Sequence, residues 1–492
     1  MKRVILPISA LSAFMLSASS FAATSHASTT VLTAQVKQLS AQTKKLEREV
    51  SALHVQVNQK STKAAHKKNS FHHPKFAKTT NIPWSHFVTV TTTPFNNKKM
   101  DFDGADVLYN APSINEDLLL LQQKQKLQNE MAARGYALNR PILQLSGAVQ
   151  GELYSNGGFG TKATDGVSLS TAELDMNAIA SPWATAFMSL NYSGSPISTG
   201  NRMPNSNVYL SRGFLTLGNL NHCPVYFSAG LMYVPFGRYS TGMIDTPLTQ
   251  SLAKTRTPAV LLGFSLNNGL FGSVYGYSGS RTSGGNDLFK QSGVNIGLKN
   301  KFAFNDSYQV SAGWISNIAD SEGQQLNGLS TTGTQFAGFA AGNTTNNLTH
   351  NVNGVDANGS VVLGPVTVLG EYVGAAERYA TSDMVFNSKG AEPTAMHAEV
   401  DYLLPFFAKK YGTSVGVSYG HTWEALALNL PRDSYAAFVN TSLWRETQES
   451  LEFRHDNDYS AADTASGRGA TTNIAGTGKS RDSVLAQVSV FF

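Results

Sequence analysis

From Pro141 to the last residue, Phe492, the chain keeps returning to an alternation of period two. Leu143, Leu145, Gly147, Val149, Gly151 and Leu153 alternate with Gln144, Ser146, Ala148, Gln150, Glu152 and Tyr154. The pattern recurs in Ala172–Ala178, Val225–Tyr233, Val366–Tyr372, His397–Tyr402 and Leu451–Arg454. Successive side chains of a strand point to opposite faces, so each segment has one apolar face and one small, polar or charged face. About sixteen such segments of about nine to twelve residues can be traced, the length of a tilted membrane-crossing strand. Charge is scarce, at 14% of residues against about 25% in ordinary soluble chains.

The segments are separated by tight turns such as Asn267-Asn268-Gly269 and by polar loops expected at 194–207, 279–291, 318–333 and 456–481. An open sheet edge has no partner in lipid, so strands that cross a membrane must close. The expected fold is all-β: a transmembrane antiparallel barrel of about sixteen strands over 141–492, its boundaries least defined near 334–363. A soluble sandwich shares the alternation but not a charge-bearing inward face on so many strands. After the N-terminus no apolar run approaches the roughly eighteen residues of a helical span. The lone cysteine, Cys223 beside Pro224, excludes an internal disulfide and reads as an incidental buried thiol. The last segment alternates Val484, Ala486, Val488, Val490 and Phe492 with Leu485, Gln487, Ser489 and Phe491. It resembles the closing strand of bacterial outer-membrane proteins, in which Val488, Val490 and Phe492 would belong to the insertion signal.

Upstream, Lys2 and Arg3 precede the apolar stretch Val4–Leu16 and the small-x-small site Ser20-Phe21-Ala22, an export signal over 1–22. A heptad seam follows over 31–58, with Leu32, Leu39, Leu46 and Leu53 at one position and Val36, Thr43, Val50 and Val57 at the other. Such a seam buries itself only against partner helices, so a homo-oligomer is expected, as dimer or trimer. Residues 59–112, with Lys60, Lys63, His66, Lys67, Lys68, His72 and His73, read as a basic linker and connector, its histidines too irregular for a metal site. The formal charge of +5 sits in this arm: residues 31–80 hold ten Lys or Arg against Glu47 and Glu49, and 81–492 are net acidic. Nucleic acid is therefore not an expected partner. Ser113 and Glu116 form a capping box opening a short helix over 113–134, with Leu120, Leu127 and Met131 on one stripe. The sequence does not say whether that helix enters the barrel.

No nucleophile motif, phosphate loop or zinc-ligand spacing occurs, so no catalytic residue, resident cofactor or metal is expected. A pore needs only a lining. By alternation Glu152, Glu173, Asp175, Arg212, Arg238, Glu371, His397, Glu399, Asp401, Glu452 and Arg454 are candidates to face the lumen. The other reading of each is a salt bridge stiffening the inner wall or a rim charge in water. Arg212 and Arg238 suit an anion, Asp175, Glu399 and Asp401 a cation, and the inward aromatics Tyr154 and Phe187 a sugar track or girdle.

Taken with the signal, coil and closing phenylalanine, DFDGADVLY at 101–109, NEDLLLLQQKQKLQNEM around the helix, LSRGFLTLGNL at 210–220 and AGLMYVPFGRY at 229–239 resemble the LbtU-type siderophore porins of intracellular gammaproteobacteria. The resemblance implies an outer-membrane barrel taking up an iron-loaded carboxylate siderophore without a TonB-type plug. Iron would enter only within the bound siderophore. YVPFGRY is also similar to segments of carbohydrate and phosphate porins, so a general or carbohydrate- or anion-selective diffusion porin is the alternative. The expected partners are outer-membrane lipid, a ferric siderophore or other small solute, and further copies through the coil. A periplasmic envelope partner of the N-terminal arm completes the set, and an envelope tether is a third class.

Overall fold

The computed structural model describes residues 88–90, 114–133, 138, 141–198, 204–279, 290–302, 306–326, 334–339, 348–404, 412–444 and 447–492. The expected export signal, the coiled-coil seam and most of the basic linker lie outside these residues. Within the linker range, Val88–Val90 is a short strand paired in parallel with Leu143–Leu145.

Sixteen strands form the wall: β1 (Ile142–Asn156), β2 (Thr164–Ile179), β3 (Ala184–Ser198), β4 (Pro204–Leu217), β5 (Val225–Tyr233), β6 (Arg256–Ser265), β7 (Leu270–Tyr277) and β8 (Gln291–Lys301). The circuit continues with β9 (Ser307–Ile315), β10 (Gly354–Leu363), β11 (Val366–Ala375), β12 (Thr394–Leu403), β13 (Ser414–Trp423), β14 (Asp433–Thr441), β15 (Thr447–Asn457) and β16 (Ser480–Phe491). Each pairs antiparallel with the next, and β16 returns to β1, so the sheet has no edge. The seam ends where Gly147 and Phe492 exchange backbone hydrogen bonds of 2.8 and 3.1 Å.

Alternation decides which side of the wall meets lipid. On β15, Leu451 and Phe453 are 54% and 48% exposed, whereas Glu452 and Arg454 between and beside them are 0% and 6% exposed. Around the ring, Val149, Val274, Ile296, Val368, Val417 and Val439 face out, and Ser146, Ser273, Asn295, Thr367, Ser414 and Asn440 are buried. A soluble protein buries the first set and hydrates the second. Here the distribution is inverted, as a hydrocarbon surround requires.

One rim carries short connections, such as 180–183, 266–269 and 364–365, and the other carries long ones, including 234–255, 316–353 and 458–479. The polar loop expected over 194–207 is shorter than that. Ile197 pairs with Asn205, so Ser- and Asn-rich sequence, poor in strand formers, is held in the sheet by its partner. At the end of the uncertain stretch 334–363, Gly354–Leu363 is β10. On the long-loop rim, Met384–Phe386, Lys389–Gly390, Thr464–Gly467 and Ile474–Ala475 pair into a small sheet over buried Phe336, Tyr379, Leu428 and Tyr459.

The expected short helix is α1 (Glu116–Ala133). Glu116 to Leu121 are all buried, whereas a surface helix buries only one stripe. Of the expected stripe, Leu120 is buried and Leu127 and Met131 are half-buried. Further along, Lys124 Nζ donates to Gly218 O at 2.8 Å and Gln128 Nε2 to Pro182 O at 3.3 Å, both on the short-turn rim. The helix thus enters the lumen from that rim, N-terminal end innermost.

Candidate functional site in the barrel lumen

The connection between β5 and β6, residues 234–255, does not stay on the rim. Alternation stops at Val234-Pro235-Phe236-Gly237, where proline removes a ladder donor and Gly237 turns the chain at φ 73°. A Cβ on Gly237 would lie 2.4 Å from the Tyr239 hydroxyl, so glycine is required there. Val234 N donates to Thr255 O at 3.0 Å, closing the base, and the segment between runs inward.

Acidic side chains on the far wall hold it. Glu371 of β11 accepts the backbone N–H groups of Arg238 (2.6 Å) and Tyr239 (3.1 Å) and the hydroxyl of Thr249 (2.7 Å). Glu399 of β12 accepts the N–H of Gly242 at 2.7 Å and the hydroxyl of Thr241 at 2.5 Å. Glu452 of β15 accepts the N–H groups of Ile244 (2.5 Å) and Asp245 (3.2 Å). Asn440 of β14 donates to Gly242 O at 2.7 Å, and Arg454 pairs with Asp245. Strands β11 to β15 lie opposite β5 in a ring of sixteen, so the loop spans the lumen. Hydrogen bonds to charged acceptors are worth about 1.5–3 kcal/mol each. They hold Tyr239 at φ 59°, a left-handed conformation that costs a bulky residue about 1–3 kcal/mol. The helix α2 (Leu248–Ala253) completes the loop, with Leu248, Thr249, Leu252 and Ala253 buried.

A second cluster faces β2 to β5. Arg212 of β4 lies 3.2 Å from Glu116 of α1, pairs with Glu173, and stands 3.4 Å from Asp175. Its guanidinium also donates to Ser189 Oγ at 3.0 Å and lies over the Phe187 ring. Burial pushes the Glu116 carboxyl up to about 8, against the lowering charge of Arg212 and with help from Glu173 and Asp117. Lys254, at the end of the inward loop, sits 4.0 Å over the Tyr233 ring.

The structure therefore places the sequence candidates in two groups. Glu371, His397, Glu399, Asp401, Glu452 and Arg454 lie along the loop's landing wall, His397 Nε2 standing 3.1 Å from Glu399. Asp401 is fully buried, 2.2 Å from where a Gly416 Cβ would be. Glu173, Asp175 and Arg212 form the helix-side group. Arg238 is on the loop and not on a strand, which corrects the alternation that selected it. Glu152 is half-buried on β1, and no described hydrogen bond or ion pair joins it to either group. Sequence reading missed Glu116, Asp245 and the loop's backbone donors. The available signal was the loss of period two after Tyr233. Cys223, expected to be buried, is only partly so.

No family model matches the chain. A UPF0422 protein of Legionella pneumophila (strain Lens) is 38% identical over 411 residues, 82% of this chain and 76% of the relative. A UPF0422 protein of Coxiella burnetii is 34% identical over 416 residues, 83% of this chain and 84% of the relative. The chain belongs to the UPF0422 family. The shared sequence exceeds the span of the barrel, so UPF0422 members also share sequence upstream of β1. Among solved structures, an anion-selective porin from Comamonas acidovorans covers 72% of this UPF0422 chain and 100% of its own, at 11% identity and a TM-score of 0.47. Pseudomonas putida OprB covers 74% and 96%, at 10% identity and a TM-score of 0.43. An even-numbered, closed, outward-apolar barrel with short turns on one rim and long loops on the other has the architecture of an outer-membrane porin.

Proposed function

We propose that the chain is an outer-membrane diffusion porin whose aqueous path passes the inward loop. The observation that carries this is the crossing of 234–255 from β5 to β11–β15, tied down by Glu371, Glu399 and Glu452. In this reading the loop and α1 narrow the barrel, and the polar wall beside them carries hydrated solutes in and out. The eleven candidate residues then serve as lining and as the fastening of the constriction. The coil over 31–58 would join copies, and the N-terminal arm would face the periplasm.

A siderophore-selective receptor is the finer form of this proposal and is supported by the motif resemblance, with the ferric chelator as cargo. Liposome swelling with sugars of increasing mass, with and without a ferric carboxylate chelator, separates the two. Entry rates that fall smoothly with solute size support the diffusion porin. Entry of the ferric chelator alone supports the receptor, and no entry of any solute overturns both.

A further inference from the structure

Resting on the porin reading, we infer that Arg238 and Ser360 form a weak oxyanion-binding subsite at the constriction. Among the described residues the arginines that reach the lumen have different surroundings; Arg481, for one, pairs with Asp456 at 2.8 Å. Arg212 is met by Glu116, Glu173 and Asp175, and Arg454 by Asp245 and Asp456. Among the described residues Arg238 makes no ion pair closer than 4 Å; its Nε donates to Ser240 Oγ at 2.8 Å, and its Nη1 is buried without a hydrogen-bond partner. Glu371, which lines the same recess, already accepts two backbone N–H groups and the Thr249 hydroxyl.

The unpaired guanidinium edge opens on a small recess lined by Arg238, Ser240, Asn358, Ser360, Glu371 and His397. Ser360, 1% exposed, lines the same recess with an Oγ that also lacks a partner. A buried donor left unmatched costs about 1–3 kcal/mol, and an oxygen atom with free lone pairs matches both groups. A guanidinium edge beside a hydroxyl suits the paired oxygens of a small oxyanion. Glu371 and Glu399 oppose a net negative charge there, so binding rests on hydrogen-bond donors and stays weak. Weak binding lets a permeating ion leave again.

The side chain of Arg238 can be changed without unfastening the loop, because Glu371 grips its backbone N–H. The test uses the full chain in planar bilayers under a potassium chloride gradient, with inorganic phosphate as probe. R238Q is expected to lower the anion-to-cation permeability ratio severalfold and to remove inhibition of chloride current by millimolar phosphate. R238K, which keeps the charge but loses the planar fork, is expected to fall between. R256Q, which breaks the half-exposed pair of Arg256 with Glu322, is expected to match the parent. A normally conducting R238Q with the parent's reversal potential and phosphate response overturns the subsite and leaves the porin reading standing. A parent that conducts nothing overturns both.

Discussion

Gly242 donates its backbone N–H to the Glu399 carboxylate at 2.7 Å, a contact between residues 157 positions apart that pins the middle of the inward loop to the opposite wall. The grip is on backbone, so it is insensitive to most side chains in the loop and sensitive to the three acids on the wall. Gly242 itself has no room for a side chain: a Cβ there would lie 2.8 Å from the Phe438 ring.

Replacing Glu399 by alanine orphans the Gly242 N–H and the Thr241 hydroxyl, each loss costing about 1–3 kcal/mol. E399A should keep the barrel's strand content while rendering the loop susceptible to proteolysis between Arg238 and Lys254. E399Q, which keeps an acceptor oxygen, should be cleaved more slowly. Equal protection of the three proteins would deny Glu399 this fastening role.

Gly147 and Phe492 close the ring, and a Cβ on Gly147 would stand 2.5 Å from the Phe492 ring and 2.7 Å from Glu173 O. G147V should therefore lower the yield of the compact, heat-modifiable barrel seen on unboiled gels. A G147V barrel that assembles as well as the parent contradicts the close packing.

Arg212 holds Glu116, Glu173 and Asp175, so R212A leaves two wall carboxyls and one of α1 without their cation. Removing one partner from a buried ion pair typically costs about 3–5 kcal/mol. R212A should lower the melting temperature in detergent well below that of R256Q, whose pair is half-exposed. Similar melting of the two would show the Arg212 cluster to be solvated.

Glu116 gives α1 docking a pH dependence of definite sign. Its docked pKa, about 8, lies above the ordinary 4.5. The docked state therefore binds the extra proton between these values, and docking weakens as pH rises from 4.5 towards 8. Hydrogen exchange of α1 amides, corrected for intrinsic rates, should show protection falling across that window, and E116Q should flatten the trend. Protection that rises with pH in the parent would reverse the assignment.

Much of the wall was legible because lipid outside and polar groups inside impose a two-residue period, as Leu451, Glu452, Phe453 and Arg454 display. Closure was legible in the terminal Val488, Val490 and Phe492, all exposed on the outer face. The inward loop was not, because the groups that fasten it to the far wall, Glu371, Glu399, Asn440 and Glu452, lie more than a hundred positions away and leave no local period. Arg238, a lumen candidate by alternation, lies beyond Pro235, where the β5 ladder has ended. The extra length of β3 and β4 was hidden for the opposite reason: Ser193 and Asn207 look like loop residues, and only cross-strand pairing keeps them extended.

The most direct test of the loop as the constriction is single-channel conductance of the purified full chain in planar bilayers, beside the E371A/E399A/E452A variant. The account predicts discrete openings for the parent and larger, noisier openings for the variant, both unaffected by ferric chelator. A silent parent, or a triple variant whose openings keep the parent's size, would contradict it.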